Sequence, residues 1–198
     1  PLKPEHVEAL YRAAENPKER LLVVALAAWG LRSGEVATLH TSQFVVEGED
    51  TPYLTFSERK NGPGEVSLLY GVSAYHARLE ELADVEDWNG YLFPSSSSED
   101  GHVVSQTIRN WFHDLVDRAA VPGEIQGERP IPQMARRFWY DAYSSVLEEI
   151  LEGLDPIAEE QGSDDPTVVL REYLEDERNR KLRREQMRQR LSEAFEGV

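Results

Sequence analysis

The chain has 198 residues and no cysteine, which excludes disulfides and thiolate metal sites. Its 40% hydrophobic content allows one good core, so a single domain is expected. With 37 acidic against 21 basic residues the net charge is −16, and this sign argues against a nucleic-acid binder. No apolar run approaches the roughly 20 residues that span a bilayer, and the N-terminus lacks the pattern of a signal peptide.

Lysine is rare in this chain. Only four lysines are present, at Lys3, Lys18, Lys60 and Lys181. An acidic chain so poor in lysine is typical of salt-in halophiles, whose proteins must stay soluble in molar salt. There the screening length falls to about 3 Å, so local arginines matter more than net charge. We therefore expect a protein of a salt-in, archaeal-like cytoplasm, in which the charge balance does not exclude DNA binding.

The first part of the chain is predicted to be helical. An apolar stripe predicts a helix from Pro4 to Glu15. Asn16-Pro17, an N-cap followed by proline, starts a second helix over Lys18 to Trp29. Because that helix is almost wholly apolar from Leu21 onward, it is expected at the centre of the core. A short helix carrying Val36 to Leu39 follows.

A tight turn separates these two helices. Gly30 suits the left-handed position that closes a helix, and Ser33 is a good N-cap for the next one. Arg32 is thereby held in a short loop between two helix ends. Free N–H groups and a guanidinium both favour an anion such as phosphate. The alternative is an ordinary surface arginine in a helix–helix turn.

The periodicity then changes from helix to strand. Phe44 to Val46, Tyr53 to Phe56 and Val66 to Tyr70 are rich in strand-forming residues and predict a small antiparallel sheet of three strands. The last two are joined by a Gly/Pro/Asn-rich loop over residues 57–64. Lys60 stands near the tip of this loop.

The rest of the chain is predicted to be helical. Six stretches are expected as helices: Ser73 to about Ala83, Val103 to Ala120, Pro132 to about Leu151, a short one from Asp155, another from Asp165, and a last from about Asp176 to before Gly197. The fold class is therefore mainly α with a small antiparallel β-sheet (α+β). The five histidines are scattered without metal-ligand spacing, and the sequence has no Gly-rich phosphate loop, so neither a metal nor another cofactor is expected.

A second dense stretch of functional residue types opens the helix that begins at Pro132. Gln133 and Arg136 are three residues apart in its first turns, so they share one face. The alternative interpretation is a basic helix face beside an aromatic core.

Gly30-Leu31-Arg32-x-Gly34-Glu35, followed by small and aliphatic residues, resembles the first active-site box of the tyrosine recombinase (phage integrase) family. In the same comparison Arg136 matches the second family arginine, and Gln133 takes the place of the histidine in the His-x-x-Arg box. Lys60 stands in a β-hairpin loop where the family keeps its lysine. The resemblance covers nearly the whole chain, from Leu2 to about Phe195.

The downstream stretch from Gln161 to Leu174 resembles the family's Gly-His turn and nucleophile helix. Ser163 occupies the turn position where the family usually has His or Trp, and Tyr173 matches the nucleophile. The interval between them is one residue longer than usual. The alternative for Tyr173 is packing on an apolar stripe. Tyr140 and Tyr143 lie on the Arg136 helix, too close in sequence to act as a separate nucleophile.

The resemblance implies a catalytic set of six residues: Arg32, Lys60, Gln133, Arg136, Ser163 and Tyr173. Tyr173 attacks the scissile phosphate and forms a 3′-phosphotyrosyl link, while Lys60 protonates the leaving oxygen. The two arginines hold the non-bridging oxygens, and Glu35 orients the loop of Arg32. The expected DNA-binding residues are Arg32, Lys60, Arg136 and Arg137.

The resemblance also implies the fold of a DNA breaking-rejoining enzyme. We expect residues 1–198 to be one catalytic domain, the C-terminal half of a longer recombinase whose N-terminal DNA-clamping domain is absent. The expected partners are double-stranded DNA and copies of the same chain in a tetramer, with no membrane. The alternative is a degenerate relative that binds DNA or partners without cleavage, which Gln133 and Ser163 favour. A topoisomerase-like relaxing activity is a third possibility.

The last helix, within residues 176–198, is unusually basic. Seven basic residues fall within thirteen positions, between Arg178 and Arg190. A rough apolar seam accompanies them, formed by Leu182, Met187, Leu191 and Phe195. Such a helix can dock on its own domain, on a neighbouring protomer or along DNA, and the sequence does not choose.

Overall fold

The computed structural model describes residues 1–60, 64–160, 162, 168 and 177–197. Seven α-helices are described in these residues: α1 (Pro4–Ala13), α2 (Pro17–Val23), α3 (Ser33–Ala37), α4 (Val72–Ala83), α5 (Ser105–Arg118), α6 (Pro132–Glu160) and α7 (Glu177–Glu196). Three strands, β1 (Phe44–Val45), β2 (Tyr53–Phe56) and β3 (Gly64–Ser67), form an antiparallel sheet in that order. The predicted class, mainly α with a small antiparallel sheet, is confirmed. None of the described helices combines the length and apolarity needed to cross a membrane.

Helix α2 lies at the centre of the core, as predicted. The Asn16 side chain accepts a hydrogen bond of 2.9 Å from the Glu19 backbone N–H, which satisfies one free amide of the first turn. Every residue from Leu21 to Trp29 is buried. The sequence predicts one α-helix here, but the stretch Val24–Ala28 is a π-helical turn. After this wider turn the Leu31 N–H donates to the Ala25 carbonyl at 3.1 Å. The chain then enters the tight turn between α2 and α3, which we call the corner.

The sheet has β2 in the middle. Phe44 pairs with Leu54 on one side, and Tyr53 pairs with Ser67 on the other. Leu54 on β2 and its partner Val66 on β3 are buried against the helices. The third strand lies earlier than predicted because its pairing with β2 ends at Ser67.

Helix α4 begins differently from the prediction that Ser73 caps it. Gly71 is the N-cap, with a left-handed φ of +89°. A Cβ at this position would lie 2.3 Å from Cγ1 of Val24, so only glycine fits where α4 starts against the π-helical turn.

Helix α6 is longer than predicted. The sequence predicts an end near Leu151 and a new helix at Asp155, but one helix runs through both positions with Pro156 inside it. The predicted break is therefore wrong. A proline inside a helix costs about 3 kcal/mol because it lacks an N–H donor and clashes with the preceding turn, but its fixed φ is compatible with the helix. The helix predicted from Asp165 lies outside the described residues.

Helix α7 packs on the domain of its own chain. Met187, Leu191 and Phe195 are buried, and the Phe195 ring meets the Tyr11 ring of α1 edge-on at 5.2 Å. Leu182 is 41% exposed, so its predicted place in the apolar seam is wrong. The seam covers only the C-terminal half of α7, where the helix lies over α1.

Candidate phosphate-binding site

The turn that carries Arg32 is fixed by its own backbone. Gly30 has a φ of +64°, the predicted left-handed conformation. The N-cap of α3 is Arg32, so the prediction of Ser33 is wrong by one residue. The reason is Glu35, whose carboxylate accepts a 3.2 Å hydrogen bond from the Arg32 backbone N–H. An acidic side chain at the third helical position can reach back to the N-cap amide in this way.

Arg136 ties the first turns of α6 to this corner. Its Nε donates to the Gly30 carbonyl at 2.9 Å, and its terminal NH2 donates to the Tyr140 hydroxyl at 3.0 Å. The guanidinium also lies over the Tyr140 ring, 5.0 Å from its centroid. A Cβ on Gly30 would lie 3.0 Å from the Trp139 ring, so the turn and α6 meet closely. Arg136 is thus positioned by two elements before any ligand arrives.

Arg32, Gln133 and Arg136 line one cavity of about 490 Å³, which we call the arginine cavity. It opens between the α2–α3 corner, α5 and the start of α6. Its wall also includes Arg109 and His113 of α5. Among the residues that the structure describes, no Asp or Glu lines it. In a chain of net charge −16, this cavity is cationic.

Lys60 is exposed in the loop after β2 and is not among the described residues of the cavity wall. Its neighbour Arg59 makes the connection to the corner. Arg59 Nε donates to Glu35 Oε2 at 2.8 Å, and a terminal nitrogen lies 2.7 Å from the same oxygen. The Arg59 guanidinium lies 4.6 Å from the centroid of the Phe56 ring. Glu35 therefore links Arg32 on one side with the hairpin on the other.

The remaining predicted site residues lie elsewhere. Arg137 is exposed on α6 and is not among the described residues that line the arginine cavity. Ser163 and Tyr173 lie outside the described residues. Tyr143 stacks on the Trp139 ring at 5.3 Å, and Tyr140 is engaged by Arg136.

Sequence reasoning missed three residues of this region. Arg59 was detectable only as the neighbour of Lys60, three positions after an aromatic residue. Arg109 and His113 follow Ser105 at intervals of four on α5, and all three line the arginine cavity. That spacing places them on one helix face. The stripe of Ser105, Arg109 and His113 was not predicted, because the histidines were interpreted as scattered.

A second cavity, of about 290 Å³, lies on the other side of the Gly30 turn. Its wall combines aromatic rings with four arginines and one acidic residue, and includes Trp29, Trp139, Tyr140, Tyr143, Arg59, Arg180, Arg183, Arg184 and Glu65. Burial, and then the neighbouring arginines of α7, lower the pKa of Arg184. The cationic character of the corner thus extends to the N-terminal half of α7.

Known proteins match this chain at the level of structure only. No protein-family model and no curated protein matches the sequence. Among solved structures, the crystal structure of XerA recombinase matches with a TM-score of 0.58 at 22% identity. The fold is that of a tyrosine recombinase. The match covers 74% of this chain and 49% of the solved one, so the chain spans about half the length of that recombinase. At this identity the likeness establishes the tyrosine recombinase fold, and the chemistry rests on the residues of this chain.

Proposed function

We propose that this protein is a site-specific DNA recombinase that cleaves and rejoins DNA through a 3′-phosphotyrosyl intermediate. The observation that carries the proposal is the arginine cavity. Arg32 and Arg136, far apart in sequence, line it together, and the Arg136 guanidinium is bonded to the turn that presents Arg32.

The electrostatics of the cavity suit phosphoryl transfer. A phosphodiester carries one negative charge, which rises towards two as an oxyanion attacks. Guanidiniums held in place beforehand stabilise that added charge without having to reorganise. The Arg136 guanidinium meets this requirement through its bond to the Gly30 carbonyl. The Arg32 backbone is fixed by Glu35, and its guanidinium lies 3.5 Å from the same carboxylate.

In the proposed reaction the Tyr173 oxygen attacks the scissile phosphorus. The bond to the 5′ oxygen breaks, and Lys60 donates the proton that makes this oxygen a free hydroxyl. Tyrosine has an ordinary pKa of roughly 10, and a cationic site favours the phenolate that attacks. The tyrosyl ester keeps the energy of the broken bond, so a 5′-hydroxyl can rejoin the strand without ATP.

Gln133 and Ser163 distinguish this chain from its family pattern. A glutamine amide donates a hydrogen bond to a phosphoryl oxygen but cannot carry a proton as an imidazole does. A serine hydroxyl is likewise only a hydrogen-bonding group here. These two residues favour a second candidate function, a relative that binds DNA or a partner protein without cleaving the DNA.

The proposal extends to assembly and location. Exchange between two duplexes requires four strand cleavages, so we propose a tetramer on double-stranded DNA, working in the nucleoid. Residues 1–198 then act as the catalytic half of a longer recombinase.

Covalent trapping tests the proposal directly. Full-length protein is incubated in molar KCl with nicked duplexes that carry the junction of its own genetic element. We expect a DNA adduct that survives denaturant, disappears in Tyr173→Phe and persists in the control Tyr143→Phe. Specific binding without an adduct would leave the non-cleaving relative. Loss of both binding and adduct would remove both candidates.

A further inference from the structure

Helix α5 turns a polar, cationic face to the arginine cavity. Ser105, Arg109 and His113 occur at intervals of four, and all three line it. Ile108 and Phe112 lie on the adjacent face of the helix and are fully buried in the core. Because the apolar face fixes the rotation of the helix, Arg109 is held towards the cavity.

Arg109 differs from the other arginine on α5. Arg118 is paired with Glu15 at 3.1 Å and with Glu19. Arg109 is exposed and has no acidic partner within the part of the chain that the structure describes. A concave wall carrying charges of one sign concentrates counter-ions. The cavity therefore presents three guanidiniums, those of Arg32, Arg109 and Arg136, to one anionic ligand.

The size of the cavity points to more than a single phosphate group. Its volume of about 490 Å³ exceeds what one tetrahedral phosphate fills. Along a DNA strand, charges follow one another at roughly 3.4 Å of axial rise. Arg109 supplies a further guanidinium in the wall beyond the pair of Arg32 and Arg136.

We propose that the arginine cavity takes two consecutive phosphates of one DNA strand. Arg32 and Arg136 hold the scissile phosphate, and Arg109 of α5 holds its neighbour. This inference rests on the proposed function for the identity of the ligand as DNA. It adds a second anion subsite, with α5 as the element that carries it.

Short oligothymidylates test the two-phosphate arrangement without knowledge of the target sequence. Binding of TpT, with one phosphodiester, and TpTpT, with two, is measured at low salt by NMR titration of the ¹⁵N-labelled full chain. We expect the wild type to bind TpTpT about tenfold more tightly, as for one added charge-assisted contact. Arg109→Gln removes this gain, so that the variant binds TpT and TpTpT with about equal affinity. Arg32→Gln weakens the binding of both probes.

Arg12→Gln is the matched control, since Arg12 is 69% exposed on α1 and paired with Glu8. It retains the full gain from TpT to TpTpT. If Arg109→Gln retains the same gain while Arg32→Gln still weakens both probes, the second subsite is refuted and the phosphate site of the proposed function stands. If the wild type binds neither probe, both proposals fail together.

A longer duplex gives a second readout. Affinity falls as salt rises, and each lost phosphate contact makes the negative slope of log K against log salt less steep by about one. We expect this flatter slope for Arg109→Gln and an unchanged slope for Arg12→Gln. An unchanged slope in Arg109→Gln would contradict the subsite even if affinity fell for another reason.

Discussion

Glu35 is the residue on which the geometry of the corner depends. Its carboxylate accepts from the Arg32 backbone at 3.2 Å and from Arg59 Nε at 2.8 Å. An anion between two cations also prevents the guanidiniums from repelling each other across the corner. Arg59 thus acts on the proposed phosphate site through Glu35 without lining the arginine cavity itself.

Removing Arg59 should therefore impair catalysis indirectly. We expect Arg59→Ala to lower the rate of adduct formation by roughly 10- to 100-fold, because small displacements of a catalytic group are costly. Arg59→Lys should restore only part of the rate, since lysine lacks the planar fork that engages Glu35. Single-turnover trapping at saturating DNA measures this rate. Equal rates in Arg59→Ala and the wild type would contradict the positioning role.

Gly30 offers a stability test in the same corner. Alanine there must adopt a positive φ and brings a Cβ to 3.0 Å from the Trp139 ring. We expect Gly30→Ala to lower the free energy of unfolding by roughly 1–3 kcal/mol. The control is Gly34→Ala in α3, where a Cβ meets nothing within 4 Å. It should be neutral or stabilising by up to about 1 kcal/mol. Urea titration measures the free energy of unfolding of both variants. Equal losses of this free energy in the two variants would contradict the strain expected at Gly30.

His6 gives the stability a pH dependence. Burial lowers its pKa, and its Nδ1 accepts a 3.1 Å hydrogen bond from the Lys3 backbone. The unfolded chain therefore binds a proton more readily than the folded one. The free energy of unfolding should decrease as the pH falls from about 6.5. His6→Asn keeps an acceptor but cannot titrate, so its unfolding curve should show a smaller decrease over that range. Parallel curves for the two proteins would contradict the assignment.

At the scale of elements, the docking of α7 rests on its C-terminal half. Met187 is fully buried, whereas Leu182 on the same helix is 41% exposed. We expect Met187→Ala to cost about 2–5 kcal/mol of unfolding free energy. Leu182→Ala should change it by less than about 0.5 kcal/mol. Chemical denaturation distinguishes them, and a small effect of Met187→Ala would mean that α7 does not pack on its own domain.

Local chemistry explains which elements could be predicted. Asn16-Pro17 marks the start of α2, and Pro132 marks the start of α6, because caps and prolines act within one turn. The π-helical turn and the Gly71 cap could not be predicted, since they depend on how α4 meets Val24. Local sequence patterns do not indicate contacts between elements that are far apart in the sequence.

The candidate site divides in the same way. Arg32 could be identified from its place between two helix ends, and the pair of Gln133 and Arg136 from its spacing. Arg59 and Arg109 could not, because their roles depend on which faces of a hairpin and of α5 meet the corner. Sequence spacing identifies residues within an element, whereas the cavity is made between elements.

At the scale of the whole molecule, the acidic surface predicts a response to salt. The chain has a net charge of −16, so its acidic side chains repel one another in the folded state. Dissolved salt screens this repulsion. We expect molar KCl to raise the unfolding temperature by on the order of 5–10 °C relative to low salt. A sucrose series, which stabilises without screening, serves as the comparison. An unchanged unfolding temperature in KCl would contradict the expectation of a halophile protein.

The bond between Arg136 and the Gly30 carbonyl has a consequence during synthesis. The corner that holds Arg32 leaves the ribosome long before the helix that supplies Arg136. A nascent chain that ends before Pro132 carries only one side of the arginine cavity. Such a chain therefore has no complete arginine cavity, and the proposed phosphate site forms only once the start of α6 has been synthesised.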